Sequence, residues 1–69
     1  MVEVFKTNVQ LEEEATTLSE KLLSKFPLTK INFDLEDCDK VLRVEGQDVA
    51  PHKIIEMLSS DGYQCHILE

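Results

Sequence analysis

Apolar side chains along this chain switch back and forth between two spacings, and the order of those switches restricts the fold more than any other feature. Phe5, Thr7 and Val9 alternate, as side chains on one face of a strand do, with Val2 and Val4 on the other face. From Leu11 the period lengthens. Leu11, Ala15, Leu18 and Leu22 stand at i, i+4, i+7 and i+11, one stripe of an amphipathic helix. Glu12, Glu13 and Glu14 occupy its first turn, where the helix dipole favours negative charge, and Lys21 and Lys25 lie in its last turns. Pro27 closes the helix at about Phe26. Period two returns in Ile31, Phe33 and Leu35, followed by the polar turn Asp37-Cys38-Asp39-Lys40. Val41–Glu45 then makes a third strand with Leu42 and Val44 inward, so the pair reads as a β-hairpin. Pro51 suits the first turn of a second helix with Ile54, Ile55 and Leu58 as its stripe, and Gly62 sits where a left-handed cap is wanted. Tyr63, Cys65 and Ile67 alternate with Gln64 and His66 in a final strand, with Leu68 on the outer face.

The resulting order is β-α-β followed by β-α-β. Residues 1–69 are therefore expected to form a single α+β domain of the ferredoxin-like βαββαβ kind, a four-stranded antiparallel sheet with both helices on one face. A chain of 69 residues has no room for a second domain, and one this short buries only about 60% of its unfolded surface. No apolar run approaches the roughly 18 residues of a membrane span, and the start Met-Val-Glu-Val, without a basic segment and apolar core, leads us to expect no secretory signal. Two cysteines do not make a disulfide scaffold, so reduced thiols and a cytoplasmic location are expected.

Fourteen acidic residues against seven basic ones leave a net charge of −7. Phosphate binding needs clustered Lys and Arg, and Arg43 is the single arginine, so nucleic acid is excluded as a partner. A basic protein or a cation stays open. The chain has no Gly-rich phosphate loop, no Ser-His-Asp order and no paired histidines at metal spacing, so no enzymatic activity and no cofactor are expected.

Taken together, these segments resemble the heavy-metal-associated domain of copper chaperones and metal-transporting ATPases. Phe5–Val9 is similar to that family's first strand and loop, Ala15, Leu18 and Leu22 to its helix stripe, and Ile31–Glu36 to its second strand. Val44-Glu45-Gly46 matches the end of its third strand, and Ile54–Leu58 followed by Asp61-Gly62-Tyr63 its second helix and closing turn. The resemblance covers nearly the whole chain and departs from the family where the family works. Its Cys-x-x-Cys pair binds a soft ion from the first loop and first helical turn, and the matching positions here are Leu11 and Glu14. Soft d¹⁰ ions prefer thiolate sulfur, which neither side chain offers. No metal is therefore expected at that loop.

Other candidate ligands are scattered. Cys65 falls on the inward face as a packing thiol, Cys38 in the hairpin turn, and His66 on the face of its strand opposite Cys65, so those two cannot chelate one ion. His52 falls in the second helix's first turn, as a surface residue. The resemblance places Tyr63 beneath the first loop, with its hydroxyl near Leu11 to Glu14. Glu12, Glu13 and Glu14 point roughly 100° apart around the helix and do not converge on a hard cation. Leu11 is expected to join the helix stripe and extend the core, and Glu14 to serve the dipole.

The expected function is a non-catalytic protein-interaction or regulatory module that has lost its soft-metal site. Its contact surface is either the first loop, with Asn8, Gln10, Leu11, Glu14 and Tyr63, or the open sheet face carrying Val2, Val4, Val41, Arg43, His66 and Leu68, where self-association is an option. Two alternatives stand beside it: residual heavy-metal binding or trafficking through Cys65, Cys38 or His66, and a small-molecule sensor of the ACT type. The second is weakened by the lack of glycine in the first loop.

Overall fold

A computed structural model of the chain describes residues 1–68. The order is β1 (Val2–Thr7), α1 (Glu12–Lys25), β2 (Lys30–Asp34), β3 (Val41–Glu45), α2 (Pro51–Ser60) and β4 (Cys65–Ile67). The strands form one sheet in the order β2-β3-β1-β4, and every neighbouring pair is antiparallel. β1 and β2 both run antiparallel to β3, so they are parallel to each other with β3 between them. Each β-α-β unit is thus split by a strand of the other, the ferredoxin-like arrangement.

Register explains the core. Phe33, Leu42, Phe5 and Ile67 lie in one row across the sheet, Ile31 and Val44 pair in the next, and Thr7 pairs with Cys65. Phe5, Leu42 and Val44 are fully buried there and join Leu18, Leu22, Ile54 and Leu58 from the helices in a single cluster. Each large apolar side chain withdrawn from water in this way contributes about 1.5–3 kcal/mol. The opposite face carries Val4, Arg43 and Asn32 in one row and His66, Lys6, Val41 and Asp34 in the next.

The ends of the elements differ from the periodicity in specific places. β1 stops at Thr7, although Val9 is fully buried. The reason is the Thr7 hydroxyl, which donates to the Lys40 carbonyl and accepts the Val9 amide at 3.3 Å, turning the chain inward. Leu11 is the N-cap of α1 and not a member of its buried stripe, and its side chain is 53% exposed. β4 begins only at Cys65, and Ile67 stays half exposed at the sheet's edge. Val49, just ahead of α2, is buried in the core without belonging to any stripe.

Gly62 adopts φ +88 and closes α2. Its amide donates to the Ser59 carbonyl at 3.0 Å and the Tyr63 amide to the Leu58 carbonyl at 2.9 Å, the pair of bonds that marks a Schellman cap. This cap aims the chain so that Tyr63 arrives beside the first loop.

Candidate functional site

Three connections meet at one end of the sheet. They are the β1–α1 loop, the β2–β3 turn and the α2–β4 turn. The Thr7 amide donates to the Asp39 carbonyl at 3.1 Å, and Asn8 Oδ1 accepts the Gln64 amide at 2.8 Å. Asn8 therefore holds the loop to the last turn, using its acceptor within the fold. Lys6 reaches Asp39 at 3.6 Å, and Lys21 Nζ contacts Asp61 Oδ2 at 2.8 Å, joining α1 to the α2–β4 turn.

Glu14 organises the loop itself. Its Oε1 accepts the amides of Leu11 at 3.2 Å and Gln10 at 3.4 Å, while its Oε2 accepts the Tyr63 hydroxyl at 2.8 Å. A carboxylate three residues into a helix, reaching back to the N-cap amide, is one half of a capping box. The other half needs a side-chain acceptor at the N-cap, and Leu11 has none. Donors converging on Glu14, with the Tyr63 hydroxyl foremost and the Leu11 amide next, lower its pKa. The same bond raises the pKa of Tyr63, because losing the phenolic proton would set two negative charges against each other.

The expected approach of Tyr63 to this loop is thus present as a direct hydrogen bond to Glu14. Gln10 and Leu11 remain outward-facing, and a shallow groove beside them is lined by Leu11, Thr17, Leu18 and Tyr63 together with Glu13, Glu14 and the Lys21–Asp61 pair. Loop, helix start and tyrosine form one interlocked unit that presents Gln10 and the Leu11 side chain outward, with charged residues of both signs beside them.

The scattered ligand candidates stay apart. Cys65 is buried, and loss of solvent pushes its thiol up to about 11, well away from thiolate reactivity at neutral pH. His66 is exposed opposite Lys6 on the outer face, and His52 is exposed in the first turn of α2. Cys38 is exposed in the hairpin turn, where its ligand atom and those of Asp37 and Asp39 lie within 4.8 Å of one another. The three residues are consecutive in the sequence. A turn folds them together: Asp37 Oδ1 accepts the Asp39 amide at 2.9 Å, and the Lys40 amide donates to the Asp37 carbonyl at 3.0 Å. The arrangement is an ordinary Asx turn.

No protein-family model, curated protein or solved structure matches this chain.

Proposed function

We propose that this chain is a non-catalytic protein-interaction module, a domain resembling the heavy-metal-associated type that has lost the paired thiolates and uses the first loop as its contact surface. The observation that carries this reading is Leu11. An N-cap favours Ser, Thr, Asp or Asn, whose side chains accept an otherwise unpaired helix amide, and an apolar residue there forgoes about 1 kcal/mol. The chain nevertheless has leucine at this position, more than half exposed, on a loop fixed by Glu14, Tyr63 and Asn8. Leu11 thus offers a partner an apolar contact point that continues into the groove lined by Thr17, Leu18 and Tyr63.

Where the family would present sulfur, Glu14 has its carboxylate engaged with two amides and a hydroxyl, which supports a role in loop structure over one in metal capture.

Affinity capture with the intact chain and with Leu11→Ser tests the proposal. Proteins held by the intact chain and lost by the folded variant are the expected result. An unchanged set of captured proteins, or stoichiometric Cu(I) binding by the intact chain under reducing conditions, would overturn it.

A further inference from the structure

We infer that two copies of this chain join edge to edge through β2, in a two-fold antiparallel pairing centred on Asn32 that continues the sheet of one copy into that of the other. β2 lies at one end of the strand order with β3 as its neighbour, so one side of its backbone is unpaired. Hydrogen bonds elsewhere in the sheet fix which groups face that side. The Leu68 amide donates to the Val4 carbonyl at 2.8 Å, and the Gly46 amide to the Met1 carbonyl at 2.9 Å. Successive residues of a strand turn their backbone groups to opposite sides. Val4 therefore faces β4, Phe5 faces β3, Leu42 and Val44 face β1, and Val41, Arg43 and Glu45 face β2. Those three pair with Asp34, Asn32 and Lys30, which leaves the amides and carbonyls of Ile31 and Phe33 directed to the open edge. Among the described residues no loop backbone bonds to them.

Unpaired edge groups of this kind are a template for a further strand. Proteins protect such edges with proline, bulges, charges or extreme shortness. β4, at the other edge, is three residues long. β2 has five residues without proline or glycine, and its protection is limited to the charges of Lys30 and Asp34.

The order of residues in β2 selects the occupant. Ile31 and Phe33 flank Asn32 on the core face, and Lys30 and Asp34 flank it with opposite charge on the outer face. A two-fold contact presents the same residues to themselves. Centred on Asn32, it sets Ile31 against Phe33 of the second copy, and each of the two symmetry-related pairs exchanges both backbone hydrogen bonds. The same register sets Lys30 against Asp34 of the second copy and Asp34 against its Lys30. Shifting the centre to Ile31 puts Asn32 opposite Lys30, and shifting it to Phe33 puts Asn32 opposite Asp34. Either way the strand's own two charges no longer meet. Lys30 and Asp34 are exposed, and neither is in an ion pair among the described residues. Ile31 and Phe33 pack against the core but are only half-buried, because the sheet ends there, and the added strand covers them.

Long-range charge suits the same geometry. Two copies of net charge −7 repel each other, and the first-loop end, with Glu12, Glu13, Asp37 and Asp61 exposed, does so most. Antiparallel pairing lays the first-loop end of each copy beside the opposite end of the other, which holds these acidic groups apart. A foreign strand could satisfy the backbone, but it would need its own lysine and aspartate at the same spacing. The chain's own β2 carries them.

Five residues from each copy make a small interface, so the dissociation constant is about 10⁻⁴–10⁻³ M. Sedimentation and ¹⁵N–¹H spectra from about 20 μM to about 2 mM bracket it. The expected result is a monomer–dimer equilibrium in which the Ile31 and Phe33 amides shift downfield and exchange more slowly as concentration rises. The Asn32 amide, already bonded to β3, responds least of the three. Lys30→Asp and Asp34→Lys each set like charges opposite one another twice and should weaken association about tenfold. Asp34→Lys also lowers the net negative charge, which alone would strengthen association, so its weakening isolates the edge contact. The double variant restores opposite charges across the axis and should return the natural constant. Melting curves check that these exposed substitutions leave the monomer folded. A chain that stays monomeric to about 2 mM, shifts confined to the first loop or to Val4, Arg43 and His66, single variants that associate as the natural chain does, or a double variant no better than the single ones would each overturn the inference.

Discussion

Replacing Leu11 separates the two things an N-cap residue does. Its backbone already has the extended geometry a cap needs, at φ −103 and ψ 140, and its amide is already held by Glu14. The side chain is about half buried, so truncation to alanine loses roughly half of a leucine's burial, about 1 kcal/mol. Serine loses the same packing but supplies the missing acceptor and completes the capping box, which returns about 1 kcal/mol. Leu11→Ala is therefore expected to lower the thermal midpoint by about 4–8 °C, and Leu11→Ser to melt close to the natural chain. Calorimetry on the three proteins at one pH decides it, with urea unfolding as an independent measure. A serine variant no more stable than the alanine variant would refute the reasoning, since the helix amides would then gain nothing from a cap. A loss above about 2 kcal/mol in both variants would return Leu11 to the hydrophobic core, because that exceeds what half-burial supplies.

Four further outcomes follow from the same geometry. Glu14 has a lowered pKa in the fold, so its contribution to stability is present above the unfolded value of 4.5 and is lost as pH falls through the folded one. Tyr63 has a raised pKa, so its contribution is present below the unfolded value of 10.0 and is lost as pH rises through the folded one. Tyr63→Phe should flatten both limbs of a melting-temperature profile against pH, and a profile identical to the natural chain's would show that the hydrogen bond does not form. A thiol reagent near neutral pH should modify Cys38 promptly and Cys65 only after denaturant is added, and two fast thiols in the native protein would contradict the burial of Cys65. Gly46→Ala should cost about 1–3 kcal/mol in urea unfolding by forcing Thr29 away, whereas a neutral effect would mean that the α1–β2 and β3–α2 connections are not in contact. If the resemblance to heavy-metal-associated domains is sound, Leu11→Cys with Glu14→Cys should create a Cu(I) site that competes with a colorimetric chelator, and a folded double variant that takes up no Cu(I) would remove the basis of the resemblance.

The fold was legible because each element's apolar period agreed with its flanking chemistry. Ala15, Leu18 and Leu22 were bounded by three glutamates and a proline, and Ile54 and Leu58 by Pro51 and Gly62. Such agreement between pattern and punctuation narrows the choice of structure. Leu11 departs from the helical stripe for a physical reason. Its i, i+4 spacing to Ala15 fits a helical stripe, but the helix begins one residue later, and a residue in extended conformation points elsewhere. Val9 produced the opposite case, a correct inward position assigned to a strand that ends two residues earlier. The position of Tyr63 was foreseen, but its bond to Glu14 depends on a side-chain geometry that residue spacing does not encode. Leu28, almost fully exposed, gave no sign at all. Its exposure is imposed by the Thr29–Phe26 hydrogen bonds and by the closeness of Gly46, contacts between segments 17 residues apart in sequence at Thr29 and Gly46.

The antiparallel sheet also dictates which connections share an end of the domain. β1 and β2 point toward the first-loop end while β3 and β4 point away from it, so every second connection falls at the same end. The first loop, the hairpin turn and the α2–β4 turn share one end, and the α1–β2 and β3–α2 connections share the other. Helix direction follows: α1 starts at the first-loop end with three glutamates and finishes at the other with Lys25. Glu12, Glu13 and Glu14 at the start of α1 and Lys25 at its end therefore contribute to a charge difference between the two ends of the domain.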